Sequence, residues 1–243
     1  MSLTSINAWR EILARVFDGS AVHQNVKPEW LINPDTNRHL KLDLVYPEIG
    51  IAIRFAGLQN KRGSRRLSLE EEQQQQLRDN ARAQQCREHG IHLVVIEVVT
   101  GDSQGILPSL RTALSDASRR LARSDRRHND KAELIERVSQ SRMRLESIAR
   151  NMGASASLRM YADLWEDRQY AEAAPDPDPG SAPASPTVYT IGMAVRHCTF
   201  GDGSVQEVKD DKGERLVIVG FADDTQRTFS ARLVAGKLVP CDH

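Results

Sequence analysis

Metal-dependent cleavage of a phosphodiester needs at least two carboxylates to hold the ion, and a cation or base beside the attacking water. Asp43 stands in the apolar segment Leu42-Asp43-Leu44-Val45-Tyr46, and a second apolar segment, Ile51-Ala52-Ile53-Arg54-Phe55-Ala56, follows after a short turn. Side chains alternate along a strand, so Ala52, Arg54 and Ala56 share one face and Ile51, Ile53 and Phe55 the other. The polar face therefore carries one arginine between two alanines. A guanidinium beside Asp43 would repel Mg²⁺ and neutralise the aspartate, so the expectation is an Asp43–Arg54 ion pair in place of a metal. A second group able to do chemistry is the basic run Lys61, Arg62, Arg65 and Arg66. Such a run can contact nucleic-acid phosphates, with affinity that falls steeply with salt, or it can be a solvated loop.

Other chemistries lack their residues. No Gly-x-x-x-x-Gly-Lys-Ser/Thr phosphate loop is present, so ATP binding by that route is excluded. The three cysteines, Cys86, Cys198 and Cys241, are far apart, with no metal-ligand or disulfide-framework spacing, and read as thiols of a reducing cytoplasm. The 33 basic and 33 acidic residues cancel, so any nucleic-acid footprint must be local. The first residues, Met1-Ser2-Leu3-Thr4, do not read as a signal peptide, and no apolar run approaches the ~18 residues of a membrane span. The expected setting is cytoplasmic, with no membrane partner.

The elements that would position these residues follow from periodicity. Ile6 to Phe17 predicts a helix with Ile6, Trp9, Leu13 and Val16 on one stripe. Leu40–Val45 and Gly50–Phe55 predict a hairpin. Ser68, with Glu71 three residues on, predicts a helix start, and Gly90 its stop. The run Ile91 to Val99 predicts a strand buried on both faces. Helix, strand, strand, helix, strand makes an α/β core. Leu107, Leu110, Leu114, Ala117 and Leu121, then Leu134, Val138, Ser141, Leu145, Ile148 and Met152, step by three and four on either side of a polar turn at Arg123–Asp130. They predict an antiparallel helical hairpin whose seams bury each other. In a second reading one seam faces another copy of the chain, a homodimer. Leu158, Tyr161 and Trp165 extend a third helical piece.

Residues 171–187 hold five of the ten prolines and read as a semi-extended tether. Beyond them, short β-prone runs are punctuated by glycine. Turns are expected at Lys212-Gly213 and Asp223-Asp224, which makes a small barrel. The expected division is 1–104, 105–170, 171–187 and 188–243.

Two resemblances carry these residues further. The segment Ile191-Gly192-Met193-Ala194-Val195-Arg196-His197-Cys198-Thr199-Phe200-Gly201-Asp202-Gly203-Ser204-Val205, with Val217-Ile218-Val219-Gly220-Phe221 and the closing Leu233–Pro240, resembles the C-terminal Tudor-like domain of UvrD/PcrA-type DNA helicases. That resemblance implies a Tudor/SH3-like barrel that docks on RNA polymerase, with Val195, Arg196, His197, Phe200, Gly201, Gly203 and Phe221 as the partner-binding motif. Gly201 and Gly203 would permit positive φ, and Phe200 and Phe221 would fill the barrel; His197 reads as a packed strand residue. A methyl-lysine cage is not expected, because the phenylalanines read as core.

Residues 5–100 resemble the PD-(D/E)xK nucleases, most like their very-short-patch-repair-like group. The match lies in Asp43, the strand that follows it, Asp79, Arg82 and Gly90-Ile91-His92-Leu93-Val94-Val95. In that family the second strand ends Glu-x-Asp; here Arg54 and Ala56 stand at those positions. The resemblance implies a restriction-endonuclease-like fold with a degraded active site, in which Asp43, Glu48, Glu11 and Arg54 are vestigial and no cofactor is held. Mg²⁺ enters only if Asp43, Glu48 and Glu11 retain nuclease activity. The whole reads as a non-catalytic adaptor for RNA polymerase. The alternatives are a metal-dependent endonuclease recruited to that polymerase and a non-catalytic DNA-binding protein.

Overall fold

The computed structural model describes residues 2–57, 69–97, 103–152, 155–173, 188–198, 200–211, 214–221, 225–232, 234 and 237–241. The chain is mixed α/β with a helical region and two sheets, and it divides into two compact units. One is built mainly from residues 13–153; the other joins residues 3–12 to 154–243. The first helix, α1 (Ser2–Val16), contributes residues to both.

In the first unit, the last turn of α1 is followed by β1 (His23–Val26), β2 (Leu42–Tyr46), β3 (Ile51–Ala56), α2 (Leu69–Glu88), β4 (His92–Glu97), α3 (Ser103–Arg123) and α4 (His128–Asn151). The sheet order is β1-β2-β3-β4. The expected hairpin forms, with Leu44 opposite Ile53, Val45 opposite Ala52 and Tyr46 opposite Ile51. β4 runs parallel to β3, pairing Ile53 with Val94 and Phe55 with Ile96. These four side chains are buried, and α3 packs against β4 and β3. Burying each such side chain stabilises the fold by roughly 1.5–3 kcal/mol.

Two expectations are corrected here. β4 is not buried on both faces: Val94 and Ile96 are enclosed, but Val95 is 43% exposed and Glu97 is exposed. Continuity of apolar residues does not by itself cover both faces of a strand; something must pack on each. The second correction is β1, a strand absent from the sequence reading. It pairs antiparallel with β2 although its residues, His-Gln-Asn-Val, are mostly polar and mostly exposed. An edge strand needs only ladder hydrogen bonds and leaves no apolar alternation to detect.

The hairpin of helices is present, with α3 packed along α4 and the buried residues Leu110, Leu114, Ala117 and Leu121 facing a seam of Leu134, Val138, Leu145 and Ile148. It is tied to the sheet at the β2–β3 turn. Arg120 donates to the carbonyls of Ile49 (3.2 Å) and Gly50 (2.8 Å), and Arg137 pairs with Glu48 at 3.0 Å.

In the second unit, α5 (Ser155–Ala173) accompanies an antiparallel sheet of β5 (Ala194–His197), β6 (Gly201–Asp211), β7 (Glu214–Phe221), β8 (Gln226–Ser230) and β9 (Leu238–Pro240). The strand order is β8-β7-β6-β5-β9. β8 and β9 lie at opposite ends of that order, so the expected closed barrel is not formed among the described residues. β6 is long enough to pair with β5 at one end and β7 along its length, and a register shift between Val205 and Glu207 bends it. Tyr189, Val195, Val205, Val217, Val219, Phe221, Phe229, Val234 and Leu238 make the core. α5 packs on β8 and so belongs with this sheet, not with the helical hairpin. Most of the tether, Lys212-Gly213 and Asp223-Asp224 lie outside the described residues.

Candidate functional site

β2 and β3 place Asp43 opposite Arg54 when their register is continued by one pair. Arg54 Nη1 donates to Asp43 Oδ2 at 2.6 Å, and the Phe55 backbone N–H donates to the same oxygen at 2.8 Å. Lys41 Nζ lies 3.6 Å from the other carboxylate oxygen. The aspartate side chain is only 11% exposed. Its oxygens are thus occupied by two cations and an amide. The expected ion pair is present.

α2 brings a second pair to the same neighbourhood. Arg82 Nη1 donates to Asp79 Oδ1 at 2.5 Å, one turn apart on the helix. Burial lowers the pKa of Arg82, and the charge of Arg54 lowers it further, so the two guanidiniums lie in each other's field. Lys41, Arg54 and Arg82 face two carboxylates, Asp43 and Asp79. A divalent cation would meet three positive side chains there. Among the described residues, no three His, Cys, Asp or Glu side chains converge as metal ligands.

The other carboxylates named from the sequence do not join Asp43. Glu48 is engaged by Arg137 of α4, which also holds Glu133. Glu11 is fully buried (0% exposed) in the second unit, where Arg168 of α5 grips it in a two-pronged pair: Nε to Oε2 at 2.8 Å and Nη2 to Oε1 at 3.0 Å. A fork of this kind fixes a buried charge and α5 together. Of Asp43, Glu48, Glu11 and Arg54, only Asp43 and Arg54 are brought together. Lys61, Arg62, Arg65 and Arg66 lie outside the described residues.

The C-terminal motif is mostly interior. Val195 and Phe221 are core residues, and His197 is 5% exposed, stacked on Phe200 (4.7 Å between ring centroids) and Phe229 (5.1 Å). Burial and the nearby Lys237 and Arg227 charges lower the pKa of His197, which favours a neutral, packed imidazole. Phe200 is half-buried, with the Arg227 guanidinium 4.0 Å from its ring centroid. Gly201 has φ +75°, as expected for the bend. Gly203 is corrected: no positive φ is needed there. Its constraint is space, since a Cβ would meet Gly220 O at 2.7 Å and the Phe221 ring at 2.8 Å. Of the motif's side chains, Arg196 is exposed and bonds Asp202. The other charges at this end, Asp163, Glu166 and Asp167 of α5, were not singled out from the sequence. Their signal is weak because α5 has no clean apolar stripe.

No helix among the described residues is long and apolar enough to cross a membrane. No protein-family model, curated protein or solved structure matches the chain.

Proposed function

We propose that this chain is a non-catalytic adaptor, in which a nuclease-like scaffold carries a Tudor-like domain that binds RNA polymerase. The observation that carries the non-catalytic half is the Arg54 guanidinium seated on Asp43 at 2.6 Å. Where the PD-(D/E)xK pattern needs acid, the chain has a cation, and the lone aspartate is spent on neutralising it. The chain order of one helix, three strands, one helix and one strand, with the four strands in one mixed sheet, supports the nuclease-like reading of the scaffold.

The polymerase half rests on the residue pattern 191–205 and 217–221. It is supported by an all-antiparallel sheet in which that pattern forms β5, the bend at Gly201 and the start of β6. Since most of the motif is packed inside, contact with a partner falls to the exposed Arg196, Ile191 and Val239. Arg196 and Val239 sit side by side across β5 and β9.

The full-length chain immobilised on a biosensor, with purified bacterial RNA polymerase in solution, tests the reading. Saturable binding weakened by Arg196→Glu with Val239→Glu is the expected result; no binding at micromolar polymerase refutes the adaptor. A plasmid-nicking assay with Mg²⁺ or Mn²⁺ tests the other half. Nicking that disappears in Asp43→Asn would establish the endonuclease instead. A salt-sensitive gel shift without cleavage or polymerase binding would establish the DNA-binding alternative.

A further inference from the structure

α5 meets the C-terminal sheet through its acids. Asp163, Glu166 and Asp167 lie within one turn and a half of the helix, and β8 is the edge strand against which α5 packs. The Thr228 backbone N–H donates to Asp163, so a helix carboxyl takes up a ladder donor of the strand. Glu166 pairs with Arg227 at 3.3 Å from a half-exposed position. Asp167 is different: it is 8% exposed, and its Oδ2 is buried with no hydrogen-bond partner among the described residues. Ser230 Oγ, on the same side of β8 as Thr228 by strand alternation, is also buried with no partner among the described residues. An ionised carboxylate with a bare, buried oxygen is strongly disfavoured, whereas a carboxylic acid in the same place is tolerated.

We propose that α5 is a proton-linked cover on the β8 edge of the C-terminal sheet, seated while Asp163 and Asp167 are protonated and released as they ionise. The charges facing these acids come from every packed element. The C-terminal part supplies Arg227 and Lys237, and α5 itself supplies Arg159 and Glu166; α1 meets α5 through Arg10 over the Trp165 ring and through the Glu11–Arg168 pair. Lys237 and Arg227 pull the Asp167 pKa down, but burial and the neighbouring acids outweigh them and raise it from 3.8 to about 7. Burial likewise raises Asp163 to about 6.

Below pH 3.8 both acids are protonated whether α5 is seated or free, and they do not oppose seating. As pH rises from 3.8 to about 6 for Asp163 and from 3.8 to about 7 for Asp167, a released helix ionises freely while a seated one resists, so release gains. Above that window the penalty is complete and constant. Each unit of pKa displacement is worth a factor of about ten in the seated-to-released ratio. Release frees the Thr228 N–H from Asp163 and Arg227 from Glu166, which is where an acidic segment would compete with α5.

Amide hydrogen exchange on the full chain at pH 5 and pH 8, corrected for intrinsic rates, reads the clasp directly. Protection at Thr228 and along α5 is expected to fall at least about tenfold from pH 5 to pH 8, while Val205 and Val219 in the sheet centre keep theirs. Asp167→Asn, close in shape but never charged, is expected to restore protection at pH 8 and flatten the dependence. Equal protection at both pH values overturns the proposal. So does an Asp167→Asn chain that loses protection at pH 8, because that means the ionised carboxylate was pairing productively with Lys237. Should Asp167→Asn also lose protection at Val205 and Val219, Asp163→Asn decides by the same two criteria.

Discussion

Replacing Asp43 and Arg54 singly and together separates an ion pair that holds the hairpin from a remnant of metal chemistry. Asp43→Ala removes the acceptor of two hydrogen bonds, from Arg54 Nη1 and from the Phe55 amide. The amide then loses a bond to a charged acceptor, worth about 1.5–3 kcal/mol. Arg54 is 26% exposed and can turn to water, so its stranding adds little. Arg54→Ala leaves Asp43 with the Phe55 amide and Lys41, and costs about 1–2 kcal/mol for one charge-assisted bond at a partly screened site. The two losses share one interaction, so the double variant should fall short of their sum by about 1 kcal/mol. Urea unfolding of the four proteins measures this, with Phe55 retained throughout. Calorimetric titration of each with Mg²⁺ is the companion assay: the parent chain should show no tight binding, and Arg54→Ala at most a weak, millimolar-range site of one carboxylate. A coupling indistinguishable from zero would refute the pairing argument. Tight Mg²⁺ binding by the parent chain, lost in Asp43→Ala, would refute the inference that the guanidinium has displaced metal.

Arg168→Ala should cost up to about 3–5 kcal/mol in thermal or urea unfolding, because it strips the two-pronged pair from the fully buried Glu11, whereas Glu11→Met with Arg168→Leu should recover most of that loss. A catalytic Glu11 would instead tolerate loss of Arg168 in stability assays. Gly203→Ala should destabilise the C-terminal sheet by roughly 2–3 kcal/mol through overpacking on β7, while Gly105→Ala, where a Cβ meets open space in α3, should be neutral or mildly stabilising. Maleimide at pH 8 should label exposed Cys198 first and Cys86 only on unfolding. Burial pushes the Cys86 thiol from 9.0 up to about 11, which cuts its thiolate fraction about 100-fold on top of its lack of access. Rapid native labelling of Cys86 counted by mass spectrometry would contradict this.

What could be read from residues alone was whatever repeats locally. Alternation in Ile51–Ala56 put Arg54 on the face of Asp43 before any register was known, because a period of two and a short turn leave little choice. The three-and-four steps of α3 and α4 likewise gave both helices and the turn between them. β1 escaped because its residues, exposed and polar, carry no period; Asn25 within it even has φ +56°. Contacts that join distant segments were also invisible. Gln85 of α2 makes hydrogen bonds with both the N–H (2.8 Å) and the carbonyl (2.7 Å) of Ile32, 53 residues away, and nothing in a glutamine-rich helix marks that one.

The same limit explains why Glu11 read as a vestigial nuclease acid. A glutamate on a first helix has the same local signature whether it awaits a metal or an arginine 157 residues later; only the partner assigns it. The buried acids of α5 pose the harder version, since charged residues on a helix ordinarily predict a solvated face. Half-buried Asp163 and buried Asp167 depart from that expectation because a sheet that follows them in the chain packs on the helix. A sequence under selection for stability alone would hold an apolar residue at Asp167, where replacing a buried carboxyl by a methyl-bearing side chain is neutral or better. An acid in that position is a cost to the seated state that varies with pH, and a cost of that form is what a releasable contact requires.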